Sequence, residues 1–189
     1  MRTILSIGDP KLREPARAVE PGELGSDPVQ RLVRDLIDTM RGAHGAGLAA
    51  TQIGVPLRVC VLEVNDNPRY PYKPKIPLTV LINPRVDAIT TETFENYEGC
   101  LSVPNLRGVV PRAVGVRVRA LDEKGGPIDR EVWGLSAGTY QHEVDHLEGT
   151  LFVDRVVDSR TLCTWETFDA FHREAFVARA EALVARFGG

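Results

Sequence analysis

The stretch Ser136-Ala-Gly-Thr-Tyr-Gln-His142-Glu143-Val-Asp-His146-Leu-Glu148-Gly149 reads as one helix, with Ser136 placed to cap its start and Gly149 to end it in the left-handed conformation. A spacing of four sets His142 and His146 on one helix face, where both imidazoles can hold the same metal ion, and puts Glu143 beside it. The competing reading is two helix histidines with ordinary polar roles. A metal needs at least one more protein ligand, and a catalytic site keeps a further position for water.

Cys100 is the candidate third ligand. It lies in Glu98-Gly-Cys-Leu-Ser102, where Gly99 removes bulk beside the sulfur and a bound metal would keep the thiol deprotonated. Cys60 sits inside an apolar strand pattern and reads as a small buried hydrophobe, and Cys163 is read the same way. Three widely spread cysteines make a poor disulfide framework and suit a reducing compartment.

Asp27 followed by Pro28 resembles an N-cap with proline in the first turn, and Val29, Leu32, Val33, Leu36, Ile37 and Met40 recur at helical spacing, which predicts an amphipathic helix over 28–42. Strands are expected at 58–63 and 79–83, with a proline-rich surface loop over 65–77 between them. Alternation over 116–121, the turn at 122–126 and a return over 128–133 predict an antiparallel hairpin. A last helix is predicted from Thr164 to Phe187, with Phe168, Phe171, Ala175 and Ala178 on a weak apolar stripe. Helices and antiparallel strands in separate stretches place the chain in the α+β class. The expected architecture is a single domain: antiparallel strands around a central metal-binding helix form a catalytic unit over 1–163, and an additional C-terminal helix over 164–189 packs on it or extends from it.

Ordinary globular composition over 189 residues favours one sizeable core. A net charge of -3 argues against a general nucleic-acid binder, so no DNA partner is expected. The apolar runs fall far short of the roughly 20 residues that span a bilayer, and the N-terminus has no signal core, so no membrane partner and a cytoplasmic location are expected.

A third element, Gly45-Ala-Gly47-Leu-Ala-Ala-Thr51-Gln52-Ile-Gly54, has small residues that let a peptide pair with its backbone, and Gln52 can donate an amide hydrogen. On its own it is equally a glycine-rich turn with a solvated glutamine. In this order, Gly45-x-Gly-Leu-Ala-Ala-x-Gln52, Glu98-Gly-Cys-Leu-Ser102 and Gln141-His-Glu-x-Asp-His-Leu-x-Gly149 resemble the three signature motifs of peptide deformylases. The opening Ile7-Gly-Asp-Pro-x-Leu-Arg13 and the segment from Val103-Pro to Val110-Pro-Arg112 are also similar to that family, and the likeness spans about residues 4 to 160.

The resemblance implies removal of the formyl group from the N-terminal methionine of new polypeptides, by attack of a metal-bound hydroxide with release of formate. It assigns Cys100, His142 and His146 as ligands of one divalent ion, Fe(II) in cells, with zinc, nickel or cobalt possible in purified protein. It makes Glu143 the general base and acid, and gives the growing oxyanion the Gln52 side chain and the Leu101 backbone amide. Gly47, Glu98, Gly99, Arg107, Leu135, Gly138 and Thr139 are expected around the substrate. The implied partners are nascent formylated polypeptides and the ribosome near its exit tunnel, and a monomer is expected. Thr51 stands where the family commonly has proline, and Gly138 and Thr139 stand where bulkier aliphatic residues are frequent, which predicts a roomier first-side-chain pocket. Two rivals remain at this level: a metallopeptidase sharing His-Glu-x-x-His, and a non-catalytic ribosomal binding module with a structural metal.

Overall fold

The computed structural model describes residues 1–65 and 71–189. Its order is α1 (Asp27–Gly42), β1 (Gly47–Ala49), β2 (Val59–Val64), β3 (Ile76–Ala88), β4 (Thr93–Cys100), β5 (Val103–Ala113), β6 (Gly115–Leu121), β7 (Pro127–Trp133), α2 (Gly134–Leu147), α3 (Trp165–Phe171) and α4 (Arg173–Phe187). The α+β class is the one expected. The strands form a five-stranded antiparallel sheet in the order β1-β2-β3-β6-β7 and a separate antiparallel pair, β4-β5.

The apolar face of α1 (Val29, Leu32, Val33, Leu36 and Met40) closes over Leu48, Val59, Val61, Val80 and Ile82 of the sheet. The chain enters that helix through Ser26; Asp27 is its first residue and not its cap. Nearly the whole of α2 is buried, because it lies between elements on every side rather than on a surface. Ala137, Tyr140 and Leu147 pack on Cys60, Leu62, Leu81, Val116 and Val118 of the larger sheet. On another side α2 meets β5. The two histidines therefore stand in the interior, between the two sheets.

Several boundaries differ from the sequence reading. The start of α2 is Gly134, which takes a positive φ of 59°, so Ser136 falls inside the first turn and is buried instead of capping. The end agrees: Gly149 has φ 72°. The strand expected at 79–83 runs from Ile76 to Ala88, so Pro77 belongs to β3 and not to the loop; residues 66–70 of that loop lie outside the described residues.

The terminal helix is two helices. Thr164 caps α3 by accepting the Thr167 N–H, and the chain bends at His172 (φ -121°, ψ -23°) before α4. In a continuous helix Phe168 and Phe176 would point about 80° apart. The bend lets both rings meet Tyr97 edge-on, with centroids 5.0 and 5.9 Å away. The buried stripe is thus Phe168, Phe176 and Ala180, while Phe171, Ala175 and Ala178 are exposed.

Candidate active site

Cys100 ends β4 just past a register shift in the β4-β5 pairing, and it faces the one turn of α2 that carries His142 and His146. The ligand atoms of the three residues lie within 4.8 Å of one another. Cys100 Sγ is 3.3 Å from His146 Nε2, which is 3.3 Å from His142 Nε2. One shared proton can satisfy only one of these close pairs, whereas a cation between them serves all three. A separation of 3.3 Å between two ligand nitrogens is also the edge of a tetrahedron with bonds of about 2.0 Å. The donor set, one sulfur and two imidazoles, suits zinc and other first-row divalent ions.

The imidazole of His142 is oriented from behind. Its Nδ1 is 2.8 Å from Glu98 Oε2, which fixes Nε2 as the nitrogen offered to a metal. Glu98 receives a two-pronged bond from Arg112 (2.7 and 2.9 Å) and another from Asn96 Nδ2. Arg112 also bonds Asp145, which Arg155 grips from the other side. Burial works to raise the Glu98 pKa, but the Arg112 guanidinium and His142 outweigh it and hold the carboxyl well below its ordinary range.

Glu143 is 4% exposed, and its Oε2 has no hydrogen-bond partner among the described residues. Burial raises its pKa to about 7, against the pull of His142 and Lys73. Gln52 is buried in the tight turn that follows β1. Its Oε1 accepts the Ala49 N–H at 2.9 Å, so its amide nitrogen faces Ser102 Oγ (3.1 Å) and Cys100 Sγ (3.5 Å). Thr51, beside it, donates to the His146 carbonyl at 3.1 Å, a tie to the metal helix that a proline could not make.

One cavity brings Cys100, His142, Glu143 and Gln52 together, with the buried His146 behind its wall. Its walls include Gly45, Ala46, Gly47, Gln52, Lys73, Asn96, Tyr97, Glu98, Gly99, Cys100, Leu101, Gly138, Thr139, His142 and Glu143. Gly47 belongs to β1, an edge strand of the larger sheet that among the described residues is paired only with β2.

The model of the polypeptide deformylase family matches residues 1–161. The chain belongs to the peptide deformylase family. Peptide deformylase 1 of Nitrosomonas europaea is 45% identical over 160 residues, covering 85% of this chain and 90% of that one. Peptide deformylase 1 of Prochlorococcus marinus is 46% identical over 160 residues, covering 84% and 82%. Among solved structures, the class I type b peptide deformylase of Acinetobacter baumannii bound to Met-Ala-Ser superposes with a TM-score of 0.80 at 36% identity, covering 82% of this chain and 98% of that one. A peptide deformylase from Legionella pneumophila covers 98% of both chains at a TM-score of 0.73 and 35% identity. That match takes in the terminal helices, beyond the span over which the motifs carry the resemblance.

Two residues expected at the substrate are not among those that line this cavity. Arg107 is 1% exposed and absent from the cavity wall. Its guanidinium lies 3.8 Å from the Phe168 ring centroid and 4.3 Å from that of Trp165, and its backbone pairs in both directions with Cys163. The C-terminal helices cover it, and its Nε and Nη1 have no partner among the described residues. Leu135 is 1% exposed and lines a separate recess with Phe94, Phe176 and Ala180, about two helical turns before His142.

The pocket is also not opened by Gly138. A Cβ there would meet Phe94 Cζ at 3.1 Å and Asn96 Nδ2 at 3.2 Å, so β4 already fills the space of the missing side chain. Lys73, which the motifs do not mark, enters the cavity wall and donates to Thr139 Oγ1 at 3.1 Å. Cys60 is fully buried, as read from its strand pattern, and Cys163 is half-buried.

Proposed function

We propose that this chain hydrolyses the formamide at the N-terminus of newly synthesised polypeptides, releasing formate and a free amine. The observation that carries the reading is the convergence of Cys100, His142 and His146 beside a cavity that Cys100 and His142 line together with Glu143 and Gln52. In support, the Acinetobacter baumannii relative has been solved with Met-Ala-Ser, the tripeptide that deformylation of formyl-Met-Ala-Ser would leave.

Cys100, His142 and His146 would hold one divalent ion, which supplies Lewis-acid polarisation of the formyl oxygen and an activated water at neutral pH. Fe(II) is the expected ion in cells, with zinc, nickel or cobalt in purified protein. Glu143 Oε2 accepts the proton of the attacking water and returns it to the departing amine. Its buried setting keeps the pKa near the operating range for both steps. The Gln52 amide, locked by Ala49, and the Leu101 backbone N–H stand as fixed donors to the oxygen on which charge develops. The unpaired edge of β1 at Gly47 takes the peptide in extended form by main-chain hydrogen bonds, which makes binding nearly blind to sequence past the first residue.

A metallopeptidase is disfavoured because the three-ligand set is complete with Cys100, and His172, the one later histidine, packs on Tyr97. No helix is long and apolar enough to cross a membrane among the described residues. We place the enzyme in the cytoplasm, as a monomer acting on nascent chains near the ribosomal exit tunnel. Residues 1–163 form its catalytic unit, and residues 164–189 brace it. The test is formate release from formyl-Met-Ala-Ser by anaerobically prepared protein, with metal analysis of the same sample. Formate in proportion to bound metal is expected; casein cleavage without formate would overturn the reading.

A further inference from the structure

From His142 the cavity continues along α2 toward the start of the helix, and its far wall carries Lys73 and Asn96. Gly138 and Thr139 lie four and three residues before His142, on the same face and about 5 to 6 Å along the axis. Thr139 presents a hydroxyl held by Lys73 Nζ at 3.1 Å. Asn96 Nδ2 stands within 3.2 Å of where a side chain at 138 would begin. A first side chain laid along α2 from the metal therefore meets an ammonium and an amide at its tip, the Thr139 hydroxyl donating to the Leu135 carbonyl at 3.3 Å and positioning Lys73.

We propose that this end of the cavity is a hydrogen-bonding subsite for a first side chain that ends in a neutral oxygen acceptor, methionine sulfoxide being the class it fits, and that Lys73 is the residue that selects it. The proposal rests on the deformylase reading and narrows its substrate class. The sulfoxide oxygen lies four bonds from Cα, the same reach as the glutamine amide oxygen. Oxidation turns an apolar thioether into a polar acceptor. As the cavity sheds water on substrate binding, an acceptor oxygen adds a hydrogen bond to those the ammonium already makes, which a thioether or alkyl tip does only weakly or not at all. A carboxylate is a poorer match, because Glu98 and Glu143 line the same cavity.

The experiment compares kcat/KM for formate release from formyl-Met-Ala-Ser and its analogues with methionine sulfoxide, glutamine, glutamate or norleucine first. It uses the full metal-loaded chain and the K73M, K73R and T139V variants. In wild type, sulfoxide and glutamine peptides are expected to exceed glutamate and to rival norleucine. The sulfoxide-to-norleucine ratio is expected to fall about tenfold or more in K73M, the worth of one charged hydrogen bond, and less in T139V. K73R retains part of the ratio and carries the test with T139V should K73M fail to fold. A ratio that stays level across all variants, or glutamate outrunning glutamine, overturns the subsite alone. Absence of formate from every peptide, formyl-Met-Ala-Ser included, overturns the deformylase reading and the subsite with it.

Discussion

A Cβ placed on Gly47 would fall 2.3 Å from Oε1 of Glu143 and 2.6 Å from its Cγ. The edge strand and α2 thus share a space that only a hydrogen leaves open, and β1 acts as the back wall that sets the Glu143 rotamer. Gly47→Ala must displace that carboxylate. Since misplacing a reacting group by about 1 Å can cost roughly 100-fold, kcat is expected to fall by that order while bound metal stays stoichiometric. Steady-state kinetics with metal analysis checks this; unchanged kcat would show that Glu143 has room to spare.

Glu143 itself should carry the proton transfers. Glu143→Ala removes the base without touching Cys100, His142 or His146, so turnover is expected to drop by about 100- to 10,000-fold with metal content near normal. Retained formate release would refute the role.

Behind His142 the acids and arginines form one network, and its members are not equivalent. Glu98 orients the imidazole directly, so Glu98→Ala is expected to weaken metal affinity about 10- to 100-fold, read by competition with a chelator. Arg112→Leu instead takes from the buried Glu98 its guanidinium partner and leaves Asp145 to Arg155 alone, and breaking a buried ion network by removing one partner costs about 3–5 kcal/mol. Thermal unfolding should therefore show its largest loss in Arg112→Leu, and a variant as stable as wild type would contradict the network.

These relationships explain what could be read before any coordinates. The helix over 28–42 and the hairpin over 116–133 were legible because one face of each is apolar and the period shows. The three metal-ligating candidates were legible because coordination chemistry restricts residue type and spacing. β4 was not legible, because its buried positions include Asn96 and Glu98, polar residues that the interior accepts only through Arg112 and His142 on other elements. The bend at His172 was hidden for a similar reason: it serves a contact with Tyr97, far away in the chain. Lys73 carries no motif and stands in a proline-rich segment that reads as surface, so its place in the cavity wall is visible only in three dimensions.

The C-terminal helices are expected to act as structure first. Phe168 is 1% exposed and lies over Arg107, whose strand neighbour across β4-β5 is Gly99, next to the candidate ligand Cys100. Phe168→Ala should cost about 3–5 kcal/mol of stability by cavity formation. If residues 164–189 also dock on the ribosome, their deletion would lower co-sedimentation. Arg173 and Arg186 already pair with Asp169 and Glu92, so a stability loss without a change in co-sedimentation is the outcome this packing favours.

Lys73 gives the clearest dependence on pH. Burial lowers its pKa from the ordinary 10.5 to about 8, and Arg107 adds to that, while the charges of Glu98 and Glu143 oppose it. Between about pH 8 and 10.5 the unfolded chain therefore binds more protons at this residue than the folded one, so the Lys73 contribution to stability rises with pH across that window. Denaturant midpoints at pH 8 and 10 should reveal the slope, and Lys73→Met should flatten it. The amine should also be acylated at pH 8 ahead of the other lysines once reactivity is corrected for access, because more of it is unprotonated there. A titration midpoint above 10, followed by NMR of the labelled lysine, would mean that Glu98 and Glu143 hold the ammonium more firmly than burial disfavours it.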